Sequence, residues 1–179
     1  MRRKFALRIR ACNGYLGAVT IERPHSAEME ALALARRSGW PEDLRVLLAR
    51  YPREEWDSHA NLGDMARFWL SRHTMFRELS GSIGHITAQF RAGHLPAGEF
   101  ARQFVPRLQF MLDQLNVHHQ IEDLHYFPIF READARLTRG FEVLEGDHHH
   151  IHSDMARTAE TANALLQALQ GDPDAASLR

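Results

Sequence analysis

The chain has a single cysteine among its 179 residues, Cys12. An intramolecular disulfide is therefore excluded, and so is a metal cluster held by several thiolates. Charge of one sign is lacking as well: 22 basic residues stand against 23 acidic ones, for a formal net charge of −1. No global field exists to draw in nucleic acid or an anionic membrane. The basic start Arg2-Arg3-Lys4, with Arg8 and Arg10, is a local exception and reads as a solvated arm. The apolar stretch behind it, Phe5 to Ile9, is too short and charge-broken for a secretory signal. No run reaches the length of a membrane span. Internal repeats, low-complexity segments and strand pairs joined by hairpin turns are missing too. These absences point to a cytoplasmic protein that binds neither nucleic acid nor membrane.

What the chain does have is histidine, twelve in all, eight of them between His94 and His152. Two clusters stand out, His118-His119-Gln120-Ile121-Glu122-Asp123-Leu124-His125 and Asp147-His148-His149-His150-Ile151-His152. His25, His59, His85 and His94 read as ordinary surface or helix-end residues.

Apolar periodicity organises the rest. Residues 1–24 are broken by Gly14, Gly17 and Pro24 and read as an irregular arm. Short helices are expected over 24–37 and 42–50, and residues 1–55 make an appendage with too little apolar material to fold alone, which docks on the remainder, 56–179. A first long helix is predicted over 60–92, with Leu62, Met65, Trp69, Phe76, Leu79, Ile83, Ile86 and Phe90 near a 3.6-residue period. Gly93 to Gly98, with Pro96, forms the turn. A second helix is predicted over 98–126, with Pro106 giving a kink or a late start and Pro128 closing it near Tyr126. Its stripe of Phe100, Phe104, Leu108, Met111, Leu112 and Leu115 runs on into His118 and Glu122. A third is predicted over 136–169, with Leu137, Phe141, Leu144, His148, Ile151, His152 and Met155 inward and with Gly140 and Gly146 as the points where it can bend. The fold class is all-α, with helix lengths suited to an up-down bundle.

Gly171-Asp172-Pro173-Asp174 reads as a helix stop followed at once by a helix start. A further amphipathic helix carrying a His and a Glu or Asp is the expectation beyond Arg179. A bundle with one face open in this way is expected to pair as a homodimer.

A metal centre inside a bundle needs ligands from several helices, because one helix presents two side chains one turn apart. His118 with Glu122 does so from the second helix and His148 with His152 from the third. His73, four residues after Trp69 and three before Phe76, is placed on the buried face of the first. The alternative register, His119 with Asp123, is disfavoured by the apolar stripe. Glu122 and His125 also spell E-x-x-H, the spacing of ferritin-like sites, but no second such pair exists. Asp123 and Asp147 are each either a hydrogen-bond partner of a ligand or a surface charge. The candidate set His73, His118, Glu122, His148 and His152 contains no thiolate. Such a set suits iron, manganese or zinc, and the number of groups favours non-haem iron over four-coordinate zinc.

The motif His118, Glu122, Asp123, Tyr126, Phe127, Pro128 resembles the H-x-x-x-E-E-x-x-L-F-P helix of hemerythrin-like (HHE) cation-binding domains, with Asp123 in place of the second glutamate. Asp147-His148 with Ile151 matches the acid-histidine pattern of their alternate helices. His73 with Phe76 matches it more loosely, with Arg72 where the acid would stand. The resemblance covers about residues 57–170. It implies a four-helix bundle around a carboxylate-bridged di-iron centre, whose fourth helix would begin at Asp172. It further implies reversible binding of dioxygen, or sensing of dioxygen, nitric oxide or iron. The pair His148 and His152 is similar to the two-histidine helix of oxygen-carrying members. Two other functions stay open: an oxidase or peroxidase-like enzyme at the same metals, and a metal-free interaction module. Neither a nucleophile-base pair nor a triad accompanies Ser71, Ser153 or Cys12.

Overall fold

A computed structural model describes residues 8–10 and 31–171. The expectations for the rest of the N-terminal arm, for residues 24–30 and for the helix start at Asp172 lie outside the described residues. No strand occurs among the described residues, which are all-α. No helix among them is long and apolar enough to cross a membrane.

The elements run from a 3-10 turn (Glu42–Leu44) to α1 (Val46–Arg50) and a second 3-10 turn (Arg53–Ser58). The long helices follow: α2 (Asp64–Arg91), α3 (Ala97–Ile121), a π-helical turn (Glu122–Tyr126), α4 (Phe127–Ala133), a 3-10 turn (Ala135–Leu137) and α5 (Thr138–Gly171). The chain divides into two compact units.

The first unit holds residues 8–10, 73–117 and 153–171. Its core is apolar. Phe100 is wholly buried and its ring stacks between Phe90 at 4.4 Å and Phe104 at 4.7 Å. Ile86, Leu108, Leu112, Met155, Ala159 and Leu166 complete it. α2 stops where Gly93 takes φ 77°, a conformation that costs glycine little. There the amide of Gly93 bonds back to Phe90 and that of His94 to Gln89, which satisfies carbonyls the helix end would strand. Ile9 is buried as well, and its backbone N–H and C=O are both taken by the Asn163 amide, at 2.8 and 2.9 Å.

The second unit holds residues 31–72 and 118–152. Leu32, Phe127 and Val143 are buried in it, yet so are His118, His119, Glu122, Asp147 and His148. A core this polar is costly unless each group finds a partner. Two charge pairs join residues of the 31–44 segment to α5, Arg37 with Asp147 and Arg139 with Asp43.

Several boundaries differ from the sequence expectation. The helix read over 24–37 is already turn from residue 32 onward in its described part. That over 42–50 splits around Arg45 into a 3-10 turn and α1. α3 begins at Ala97 and continues through Pro106, so the late start does not occur. Pro128 does not end the helix either. The backbone opens into a π turn at Glu122–Tyr126, where the amide of Phe127 bonds to the carbonyl of Glu122, five residues back. Pro128 then enters α4 in its first turn, where no intrahelical N–H is needed. Met65, read as inward, is 61 % exposed.

Candidate metal centre

Glu122 lies at the junction of α3 and the π turn and is only 8 % exposed. A carboxylate so placed needs strong partners. Trp69 of α2 donates its indole N–H to Oε1 at 2.6 Å and lays its ring 4.7 Å from that of His118. His118, one turn before Glu122, brings Nε2 to 3.4 Å from the same Oε1. His148 of α5 brings its Nε2 to 3.5 Å from the other oxygen, Oε2. One buried carboxylate thus faces two buried imidazoles, one on each oxygen.

The orientation of His148 has a cause. Its Nδ1 lies 2.7 Å from Oδ1 of Asp123, and a carboxylate only accepts, so the proton sits on Nδ1. Nε2 is the nitrogen turned toward Glu122, the orientation that outer carboxylates impose on metal-binding histidines. Asp123 is thus a hydrogen-bond partner of His148 and not a surface charge. Asp147 is paired with Arg37, at 2.8 and 2.5 Å, and is neither a surface charge nor turned to a histidine.

His152 does not join Glu122 directly. Its Nε2 is 3.2 Å from Nδ1 of His119, whose ring stacks on His148 at 4.0 Å. Burial pushes the pKa of His152 down to about 4, and the neighbouring His148 adds to this while Asp123 opposes it. The ring is neutral at physiological pH, the form in which an imidazole ligates or shares one proton with a neighbour. His73 falls in the first unit, one helical turn beyond Trp69 on α2, and is exposed rather than on a buried face. His125 is exposed, which removes the E-x-x-H pairing with Glu122, and His85 and His94 are surface residues as expected.

Sequence reasoning passed over Trp69 as a polar partner, although an indole N–H at a half-buried site calls for an acceptor. It also set His119 aside. Because Trp69 of α2 covers His118 while His148 and His152 of α5 cover His119, the neighbouring faces carrying both are buried.

His118 and Glu122 belong to a small group of His and Glu side chains whose donor atoms could share one metal ion. Two donors each about 2.1 Å from a common cation stand roughly 3.0–3.4 Å apart. The 3.4 and 3.5 Å separations at Glu122 are close to that spacing and long for hydrogen bonds. Imidazole nitrogen with carboxylate oxygen, and no sulfur, is a donor set for a borderline or hard cation. The residues present fit a metal.

The family model described as the hemerythrin HHE cation-binding domain matches residues 64–178. No curated protein and no solved structure matches the chain.

Proposed function

Because the chain belongs to the hemerythrin HHE cation-binding family, we propose that it is a non-haem iron protein, with a di-iron centre, that binds or senses dioxygen, nitric oxide or iron. The observation that carries this reading is Glu122, whose two oxygens face His118 and His148 separately, as a carboxylate shared between two cations would. We assign His118, Glu122 and His148 as ligands. His152 joins them as a neutral imidazole of the same unit, and His73 as the residue one turn beyond Trp69 on α2.

Iron in this site would supply a redox-active centre able to take a diatomic gas. The protein's own groups do the rest. Asp123 holds the proton of His148 on Nδ1 and keeps Nε2 available. Trp69 offsets the charge on Oε1 and shields His118 from water with its ring. Manganese or zinc would find the same donors, and metal analysis separates them. The all-α chain is consistent with a hemerythrin-like helical bundle, to which we add an N-terminal short-helical appendage.

Elemental analysis of protein produced under iron-replete conditions tests the reading, with H118A and E122A alongside. More than one iron per chain, lost in both variants, is expected. Iron far below one per chain and unchanged by either substitution would overturn it. In the loaded protein, a charge-transfer band that appears and fades reversibly with gas is expected. Steady turnover of peroxide or a reductant would instead make it an enzyme.

A further inference from the structure

We propose that Arg37 is a positioning residue for His148, acting through Asp147, so that the 31–44 segment is a working part of the metal centre. The inference rests on the function proposed above. Arg37 lies ahead of residue 64, where the family match begins.

The guanidinium is held on three sides. Nη1 and Nη2 donate to the two oxygens of Asp147 at 2.8 and 2.5 Å. Nη1 also donates to the Leu32 carbonyl at 2.9 Å, and the Trp40 ring lies 4.5 Å from the cation. Both side chains of the pair are nearly closed to water, at 12 % and 6 % exposure. A bidentate Arg–carboxylate pair fixes orientation as well as distance. Asp147 directly precedes His148, so the pair grips α5 on one side while Asp123 grips the His148 ring on another. Arg139 with Asp43 ties the same segment to α5 eight residues earlier, about 12 Å along the axis. Held from two sides, the turn bearing His148 resists sliding and rotation, chiefly through the buried Arg37–Asp147 pair. A buried ion pair is weak evidence for added stability, since apolar residues of similar volume often do as well. What it supplies is geometry. It also occupies both oxygens of Asp147.

The test uses the full chain carrying R37A, R37K or D147N, with Co(II) as a spectroscopic probe. R37A and D147N are expected to weaken Co(II) binding about tenfold or more, the scale set by outer partners of metal ligands. Their visible bands should shift as the ligand field changes. R37K keeps the charge but not the fork, and should fall between them and the parent. Where R37A fails to fold, R37K and D147N carry the measurement. In the metal-free chain, histidine 15N spectra should show His148 protonated at Nδ1, and a tautomer mixture in the variants. Co(II) curves and bands that coincide with the parent in folded R37A, R37K and D147N would overturn the proposal. A parent chain that takes up no Co(II) would count against the proposed function. The 15N spectra then decide on Arg37 alone, and an unchanged His148 tautomer in its variants overturns the assignment.

Discussion

Asp123 accepts a hydrogen bond from Nδ1 of His148 at 2.7 Å, and so determines which nitrogen of that ring meets Glu122. The two acids are neighbours in sequence with different tasks: one faces the imidazole nitrogens, the other sets a tautomer. Asp123→Ala should therefore weaken metal binding about tenfold while leaving the helical content intact. Competition titration against a chelator, with far-ultraviolet circular dichroism as the control, measures both. Equal affinity in the variant would remove Asp123 from the centre.

Trp69→Phe keeps an aromatic ring against His118 but deletes the N–H that reaches Oε1 of Glu122. Hydrogen bonds to charged groups contribute about 1.5–3 kcal/mol. The metal-free variant should lose stability of that order in a urea titration. A cation bound at Glu122 would take over part of the charge compensation, so added metal should narrow the gap between variant and parent.

The depressed pKa of His152 gives the metal-free chain an acid sensitivity. Unfolded, this histidine takes up a proton near pH 6.5, its ordinary value, whereas folded it stays neutral down to about pH 4. Between those values the unfolded state binds the extra proton, so acid favours unfolding. The contribution is fully present above about pH 6.5, is lost as pH falls toward 4, and levels off below that. Melting temperature followed from pH 7.5 to 4 should decline across this window, and more shallowly in His152→Gln. Parallel profiles would show that another group is responsible.

Gly81 and Gly84 lie inside α2, and a methyl group built on either meets nothing within 4 Å. Replacing glycine by alanine in such a place removes backbone freedom from the unfolded chain without creating a clash. G81A and G84A should each stabilise by roughly 0.5–1 kcal/mol. Chemical denaturation of the single and double variants checks this, with near-additive gains expected for the pair.

Much of this molecule was legible from its residues. The stripes through Phe76, Ile86 and Phe90 and through Phe100, Phe104, Leu108 and Leu112 are buried as their spacing requires, and the Gly93 turn falls between them. His118, Glu122 and His148 come together because side chains one turn apart share a helix face. What escaped depends on long-range pairing. Nothing near Asp147 in sequence announces Arg37, which is 110 residues away. The exposure of His73 and Met65 was missed because a 3.6-residue period assigns residues to a face without saying whether a neighbour covers it. Pro128 misled because proline breaks an α-helix, and here the helix has already widened before reaching it.

That widening changes the phase of the helix between Glu122 and Phe127. At about 100° per residue, an unbroken α-helix would leave residues 122 and 127 roughly 140° apart around its axis. With the amide of Phe127 bonded to the carbonyl of Glu122, both are buried instead, and the Phe127 ring lies 4.6 Å from Phe141 and 5.6 Å from His148. Carboxylate and hydrophobic wall are drawn from one continuous backbone, without a loop between them. The five-residue spacing keeps Phe127 on the face of Glu122 only while the turn stays wide. Closing it to a regular α-helix with no residue removed would put the two about 140° apart, whereas deleting one residue would leave them about 40° apart with no need of a π turn.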